Sequence, residues 1–244
     1  TSYCNVPQIL VHGAELFANI GTPRSPGTAI FALTGKVNNT GLVEVPMGIT
    51  LGEIIFDIGG GVPDGKTFKA VQTGGPLGGC IPAEQLNVQV DFDSLKEVGA
   101  VRGSGGMFVV DGDTCMVEFA KFCRTFATAE SCGKCIPGRM GGKRMLEVLT
   151  RITEGNGRRE DLETLRVLAQ RMETGSLSSL PHLTPAPFLA SLPFFYAVFR
   201  PLILYNRSPP GSCTPLLLAR CTHACPPHAA FPTHPSLFPP PPSP

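Results

Sequence analysis

The chain has 244 residues, with 20 Lys and Arg against 19 Asp and Glu and a formal net charge of +1. That balance excludes nucleic acid and anionic membrane surfaces as partners held by charge. Nine cysteines with no regular secreted framework, and no signal-peptide pattern over residues 1–10, predict a reducing compartment, the cytoplasm or an organelle matrix. The first residue is Thr1, and the start reads as a cut sequence.

Residues 1–21 read as a linker, with His12 facing solvent. Residues 22–110 read as a small α/β unit. Strands are predicted over 30–33 and 42–45, with Asn38, Asn39 and Gly41 as the hairpin turn. Thr50 is placed as the cap of a helix that carries Leu51, Ile54, Ile55 and Ile58 on one face and ends at Gly59. Further strands are predicted over 68–71 and 107–110. The glycine-rich stretch 73–80 lacks the Gly-Lys-Ser/Thr ending of a phosphate loop and reads as a tight turn. A short helix is predicted over 91–98, with Asp91, Asp93 and Glu97 on a solvated face and no calcium-loop spacing.

Residues 111–195 read as helices. Asp113 and Thr114 are the predicted cap of the first, which presents Met116, Phe119, Phe122, Cys123 and Phe126 as one apolar stripe. A second helix over 141–153 carries Met145, Leu146, Leu149 and Ile152. A third over 160–172 turns Leu162, Leu165, Leu168, Ala169 and Met172 inward. Short connections predict an antiparallel bundle, giving an α+β chain overall. The apolar run 188–199 is interrupted by Pro193 and is too short for a membrane span. From residue 196 a Pro-rich irregular tail is predicted. Residues 181–244 hold 17 of the 25 prolines and no Asp, Glu or Lys, a composition that builds no core. The tail reads either as a disordered extension or as a chance translation of a shifted frame or retained intron. Its Cys221, His223, Cys225 and His228 match no common zinc spacing. No Gly-x-Gly-x-x-Gly opens a helix after a strand, so no dinucleotide site is predicted.

Chemistry concentrates in ESCGKCIPGRMGGKRMLEVLTRI, residues 130–152. Cys132 and Cys135 form a C-x-x-C pair just ahead of a helical run. A helix N-terminus favours thiolate, and Lys134, Arg139 and Lys143 add positive charge. Such a pair either binds a metal centre or forms a redox disulfide. A helix rather than a strand precedes it, which argues against a thioredoxin-like site. Zinc held by the pair with two outside ligands stays open.

The same residues resemble the flavin and iron–sulfur subunit of NADH dehydrogenase (respiratory complex I). They also resemble the matching subunit of NAD-coupled hydrogenases and formate dehydrogenases, and KRMLEVLTRITEG reads closer to that branch. The resemblance implies a [4Fe–4S] cluster held by three cysteines in S-C-G-K-C-x-P-C-R and a fourth in a later S-L-C. Cys132 and Cys135 match two of them and are the metal ligands it implies; Gly138 and Ser178 stand at the other two. Each iron of a cubane takes a ligand; glycine offers none, and a serine hydroxyl is a harder donor than thiolate. Lys134 and Arg139 would offset cluster charge or be solvated.

The resemblance further implies a ubiquitin-like β-grasp domain of the soluble-ligand-binding type over 22–110, carried by GKVNNTGLVEVPMG and FKAVQTGGPLGGCIP. It implies a cluster-binding bundle over 111–195, and residues 1–21 as the edge of a flavin domain, with His12, Gly13 and Leu16 where the family has Asn, Asn and Thr. FMN and NADH belong to the family's N-terminal part. The expected function is electron transfer beside other subunits of an NADH-oxidising or hydrogenase complex, with no catalytic residue assigned here. The alternative is a non-catalytic relative that binds a partner or has no activity.

Overall fold

The computed structural model describes residues 2–205. It begins with helices α1 (Ser2–His12) and α2 (Ala14–Ala18), whose side chains mostly face water; His12 is exposed. Strands β1 (Gly21–Thr22) and β2 (Ser25–Pro26) then pair briefly. β3 (Thr28–Gly35) buries Ala29, Phe31 and Leu33 at the two-residue period of a strand. It pairs antiparallel with β4 (Gly41–Pro46), the predicted hairpin. The Asn38 and Asn39 amides donate to Gly60 O at 2.6 Å and Ile58 O at 3.2 Å, tying the turn to the end of the next helix.

That helix, residues 51–58, starts with a reciprocal cap. The Thr50 hydroxyl accepts the Glu53 N–H at 3.2 Å, and the Glu53 carboxylate accepts the Thr50 N–H at 2.8 Å. Bonds from the Thr50 hydroxyl and then its N–H hold the Glu53 carboxyl below its usual range. Leu51, Ile54 and Ile55 are fully buried, but Ile58 is 39% exposed, against the sequence expectation. The helix widens to π geometry over Glu53–Ile58, and Gly59 N–H bonds Ile54 O, five residues back, at 2.9 Å. The wider turn rotates Ile58 out of its i+7 place.

β5 (Phe68–Thr73), β6 (Cys80–Pro82) and β7 (Gly106–Asp111) complete a five-stranded mixed sheet in the order β4-β3-β7-β5-β6. β7 runs parallel to β3 and antiparallel to β5. The sequence reading missed β6, three buried residues at the end of a glycine-rich stretch, too short to show a period. The stretch between β5 and β6 is the tight turn expected. A Cβ at Gly78 would overlap Thr73 O, so no larger residue fits there. α3 (Phe92–Glu97) corrects another expectation: Asp91 is buried, and its Oδ1 caps the helix by accepting Ser94 N–H at 2.7 Å. Its backbone position, not its charge, decides its place.

The remaining helices are α4 (Met116–Ala129), α5 (Gly142–Thr153), α6 (Asp161–Gly175), α7 (Ser179–Leu183) and α8 (Ala186–Tyr205), with a π turn at Pro137–Gly141 leading into α5. α4 is buried on two sides. Met116, Phe119 and Cys123 pack with Ala70, Cys80 and Val110 of the sheet, while Val117 and Ala120 enter the core shared by α5, α6 and α8. A helix gripped from two directions leaves a single exposed strip, and Phe122 (64%) and Phe126 (43%) fall on it, contrary to the single apolar stripe predicted. α8 is continuous through Pro193, where a break was predicted, and continues past residue 196, placing Phe188, Leu192, Phe199 and Ile203 in the helical core. Among the described residues no helix is long and apolar enough to cross a membrane. The Cys/His set at 221–228 lies outside the described residues.

Asp161, buried at the start of α6, pairs with Arg151 of α5 and accepts Arg158 N–H at 2.8 Å. Asp161→Ala leaves the arginine without its partner, and urea denaturation should show a loss of about 3 kcal/mol. Thr50→Ala removes only the cap and should lower stability by about 1 kcal/mol in the same assay.

Candidate metal centre

α4 stops at Ala129, and Glu130 N–H closes its last turn on Phe126 O at 3.0 Å. The chain then crosses residues 130–135 without regular structure. Gly133, at φ +70°, turns it back, and Arg139 donates to Gly133 O at 3.2 Å, pinning the loop to the turn that follows. Pro137 opens that turn, where its missing N–H leaves no bond unmade. The C-x-x-C pair thus lies where expected, immediately before a helical N-terminus.

The two sulfurs have different surroundings. Cys132 is exposed and Cys135 is buried. Backbone N–H groups of Leu177 and then Gly138 point at the Cys135 sulfur and lower its pKa. The Ser176 hydroxyl also faces that sulfur; it is buried and has no well-formed hydrogen bond. Two of these groups come from residues 176–177, where the chain returns after α6. Sequence reasoning gave neither a role: the Leu177 group is a backbone amide that no side-chain pattern reveals, and the Ser176 hydroxyl meets the sulfur only through the fold.

Cys132 and Cys135 line one hollow of about 160 Å³. Glu130, Lys134, Ser178 and Pro181 share its wall. Ser178 thus borders the same hollow as the pair. Gly138 is buried behind the same wall: a Cβ there would lie 3.0 Å from Cys135 Sγ and 2.8 Å from the Pro181 ring. Residues 132, 135, 138 and 178 thus converge on one place. Among the described residues, no group of three or more His, Cys, Asp or Glu is placed to hold a metal ion. Lys134 and Arg139 are exposed beside the pair, and Lys143 is exposed one turn on.

The other buried thiols are elsewhere. Cys80 and Cys123 sit between the sheet and α4, where burial pushes them up to about 12 and about 11, so they stay protonated at neutral pH. Gln72 Nε2 donates to Cys123 Sγ at 3.5 Å. The sequence placed Cys123 on this helix and gave it no ligand role.

Residues 118–201 match the NADH-ubiquinone oxidoreductase-F iron–sulfur binding region. The chain is 47% identical over 226 residues to the NADP-reducing hydrogenase subunit HndC of Solidesulfovibrio fructosivorans, across 91% of this chain and 46% of that one. It is 40% identical to the NADH-quinone oxidoreductase F-subunit 2 of Rhizobium meliloti (strain 1021), across 84% of this chain and 48% of the relative. The Escherichia coli (strain K12) NADH-quinone oxidoreductase F-subunit is 36% identical, across 70% and 39%. A crystal structure of an air-oxidized NAD+-reducing [NiFe]-hydrogenase superposes with a TM-score of 0.73 at 28% identity, covering 87% of this chain and 36% of that one. The chain thus spans about half the length, or less, of the curated relatives it matches. Through its iron–sulfur binding region, the chain belongs to the family of the NADH-quinone oxidoreductase F-subunits and the matching hydrogenase subunits.

Proposed function

We propose that this chain is the iron–sulfur electron-transfer module of an NADH-oxidising complex, with Cys132 and Cys135 as its protein thiolate ligands. One observation carries the reading. Inside the matched region, both thiols open onto a single hollow at a helix N-terminus, closed on the far side by the returning segment at Ser178 and Pro181. The N–H groups of Leu177 and Gly138 lower the Cys135 pKa, which favours the form that binds metal. FMN and NADH chemistry falls to sequence outside these residues, and the complex supplies the other subunits.

The fold fits the same reading. The sheet order β4-β3-β7-β5-β6, with its parallel β3–β7 pair, supports a β-grasp unit over residues 22–110. A core shared by α4, α5, α6 and α8 supports a helical bundle from residue 111 onward.

Among the described residues, the donors around the hollow do not fit a cubane held by four thiolates. Gly138 presents no donor atom, and the Pro181 ring fills the space a side chain there would need. Ser178 presents a hydroxyl. Among the described residues two thiols line the hollow, against the four thiolates such a cluster takes.

Anaerobic reconstitution with iron and sulfide tests the reading. The full chain should retain iron and sulfide together and develop a broad visible absorption, and Cys132→Ser or Cys135→Ser should lose both. Iron no higher in the full chain than in these variants would leave a folded module without electron transfer. Alkylation of the metal-free protein provides a second check. At neutral pH iodoacetamide should modify Cys132 and Cys135, while Cys80 and Cys123 stay intact in the native fold, as read by peptide mass spectrometry. Loading with iron and sulfide should protect the pair.

A further inference from the structure

We propose that Cys132 and Cys135 are a thiol–disulfide exchange site, whose two thiols reduce a low-molecular-weight disulfide and close into an internal disulfide bond. The inference goes beyond the iron–sulfur reading and concerns the metal-free chain, so it asks for two thiols and nothing more. Among the described residues, Cys132 and Cys135 are the cysteines in the wall of the hollow, a space of about 160 Å³. Three residues of extended chain would part their Cα atoms by roughly 10 Å, beyond the ~7 Å that a disulfide tolerates. Gly133, at φ +70°, turns the chain back instead, and Arg139 holds the turn by donating to Gly133 O at 3.2 Å. Residues 130–135 belong to no helix or strand, so the bond closes without opening one.

Exposure sets the order of events. Cys132 is exposed and meets an incoming disulfide, while Cys135 is buried beside it. The Cys132 thiolate attacks one sulfur of the external disulfide. A new S–S bond forms as the external one breaks, and the first external thiolate leaves and takes a proton from solvent. The Cys135 thiolate then attacks the Cys132 sulfur, closing the internal bond as the second external thiolate leaves and is protonated in turn. The pair gives up two electrons and two protons, and the external disulfide becomes two thiols. The other described cysteines are not arranged for this. Cys80, Cys115 and Cys123 are buried in the cores. Cys4 is exposed, but α1 and α2 carry no second cysteine, so exchange there halts at the mixed disulfide. Cys213, Cys221 and Cys225 lie outside the described residues.

The test incubates the metal-free full chain anaerobically with glutathione disulfide and a chelator, quenches with iodoacetamide and maps every cysteine by peptide mass spectrometry. The expected product has a bond between Cys132 and Cys135 with no glutathione on either, while Cys4 keeps a glutathione. Cys135→Ser removes the resolving thiol and should accumulate glutathione on Cys132. The full chain carrying Cys213→Ala, Cys221→Ala and Cys225→Ala together should still close the internal bond, so that the tail cysteines are not the resolving thiols. Glutathione that stays on Cys132 of the unsubstituted chain, or a bond from Cys132 to any cysteine other than Cys135, would overturn the proposal. So would a pair left as thiols at a glutathione disulfide concentration that modifies Cys4. No iron is present at any stage, so each of these outcomes leaves the iron–sulfur reading to its own reconstitution test.

Discussion

The site depends on the clasp around the Cys135 sulfur. One donor, Gly138 N–H, belongs to the helical turn that starts just after the cysteine. The other, Leu177 N–H, belongs to the segment that returns after α6. Sulfur is a weak acceptor when protonated and a far better one as thiolate, so two amides aimed at it shift its pKa toward the charged form. The Leu177 contact also joins residues 135 and 177, distant in sequence, and so bears on where Ser178 and Pro181 cross the mouth of the C-x-x-C loop. The hollow exists because of that closure. Helix α6 can hold the return in place because its own start is anchored, with Asp161 bound to Arg151 of α5.

Behind the clasp stands α4, the wall common to both cores. Its sheet-facing side carries Met116, Phe119 and Cys123; its other side carries Val117 and Ala120. Arg124, buried on the same helix, donates through Nε to Gly142 O at 3.1 Å, fixing α4 to the first residue of α5. Gly142 leaves the room: a Cβ there would lie 2.6 Å from an Arg124 nitrogen. Burial lowers the Arg124 pKa to about 10, which still leaves it charged at neutral pH. The strands, α4 and the loop that leaves it are therefore set in one frame, and the positions of Cys132 and Cys135 follow from packing some distance away.

Much of this was legible in the sequence wherever one periodic signal met one neighbour. The β3–β4 hairpin alternates over a single buried face, and α5 and α6 turn one stripe inward, so burial and period agree. The reading failed where a second constraint entered. Ile58 left its face because the helix widened; Phe122 and Phe126 left theirs because α4 is gripped from two sides. Asp91 looked like a surface charge and is a buried cap. β6 was too short to carry a period at all. The C-x-x-C pair could be found from residue types and spacing, and Ser178 through the family resemblance. The amides of Gly138 and Leu177 could not, since every residue but proline has one and only the fold aims it.

That contrast explains why the frame and the donor set of this site can be considered apart. The frame is made by backbone amides, a helix N-terminus, a proline ring and packed helices, none of which requires a metal to be present. The donors are single atoms on side chains, and each stands or falls alone. At residue 138 the frame and the donor are coupled: glycine fits because the Pro181 ring occupies the space beside it, so a longer side chain there needs the ring to yield by a few tenths of an ångström. At residue 178 they are independent, because the Ser178 side chain already borders open space. The two corners therefore differ in kind, one closed by packing and one merely supplied with oxygen in place of sulfur. A scaffold of this kind keeps its shape whatever its donors are. The ligands it can complete are set by what reaches the open side of the hollow, where Cys132 faces out.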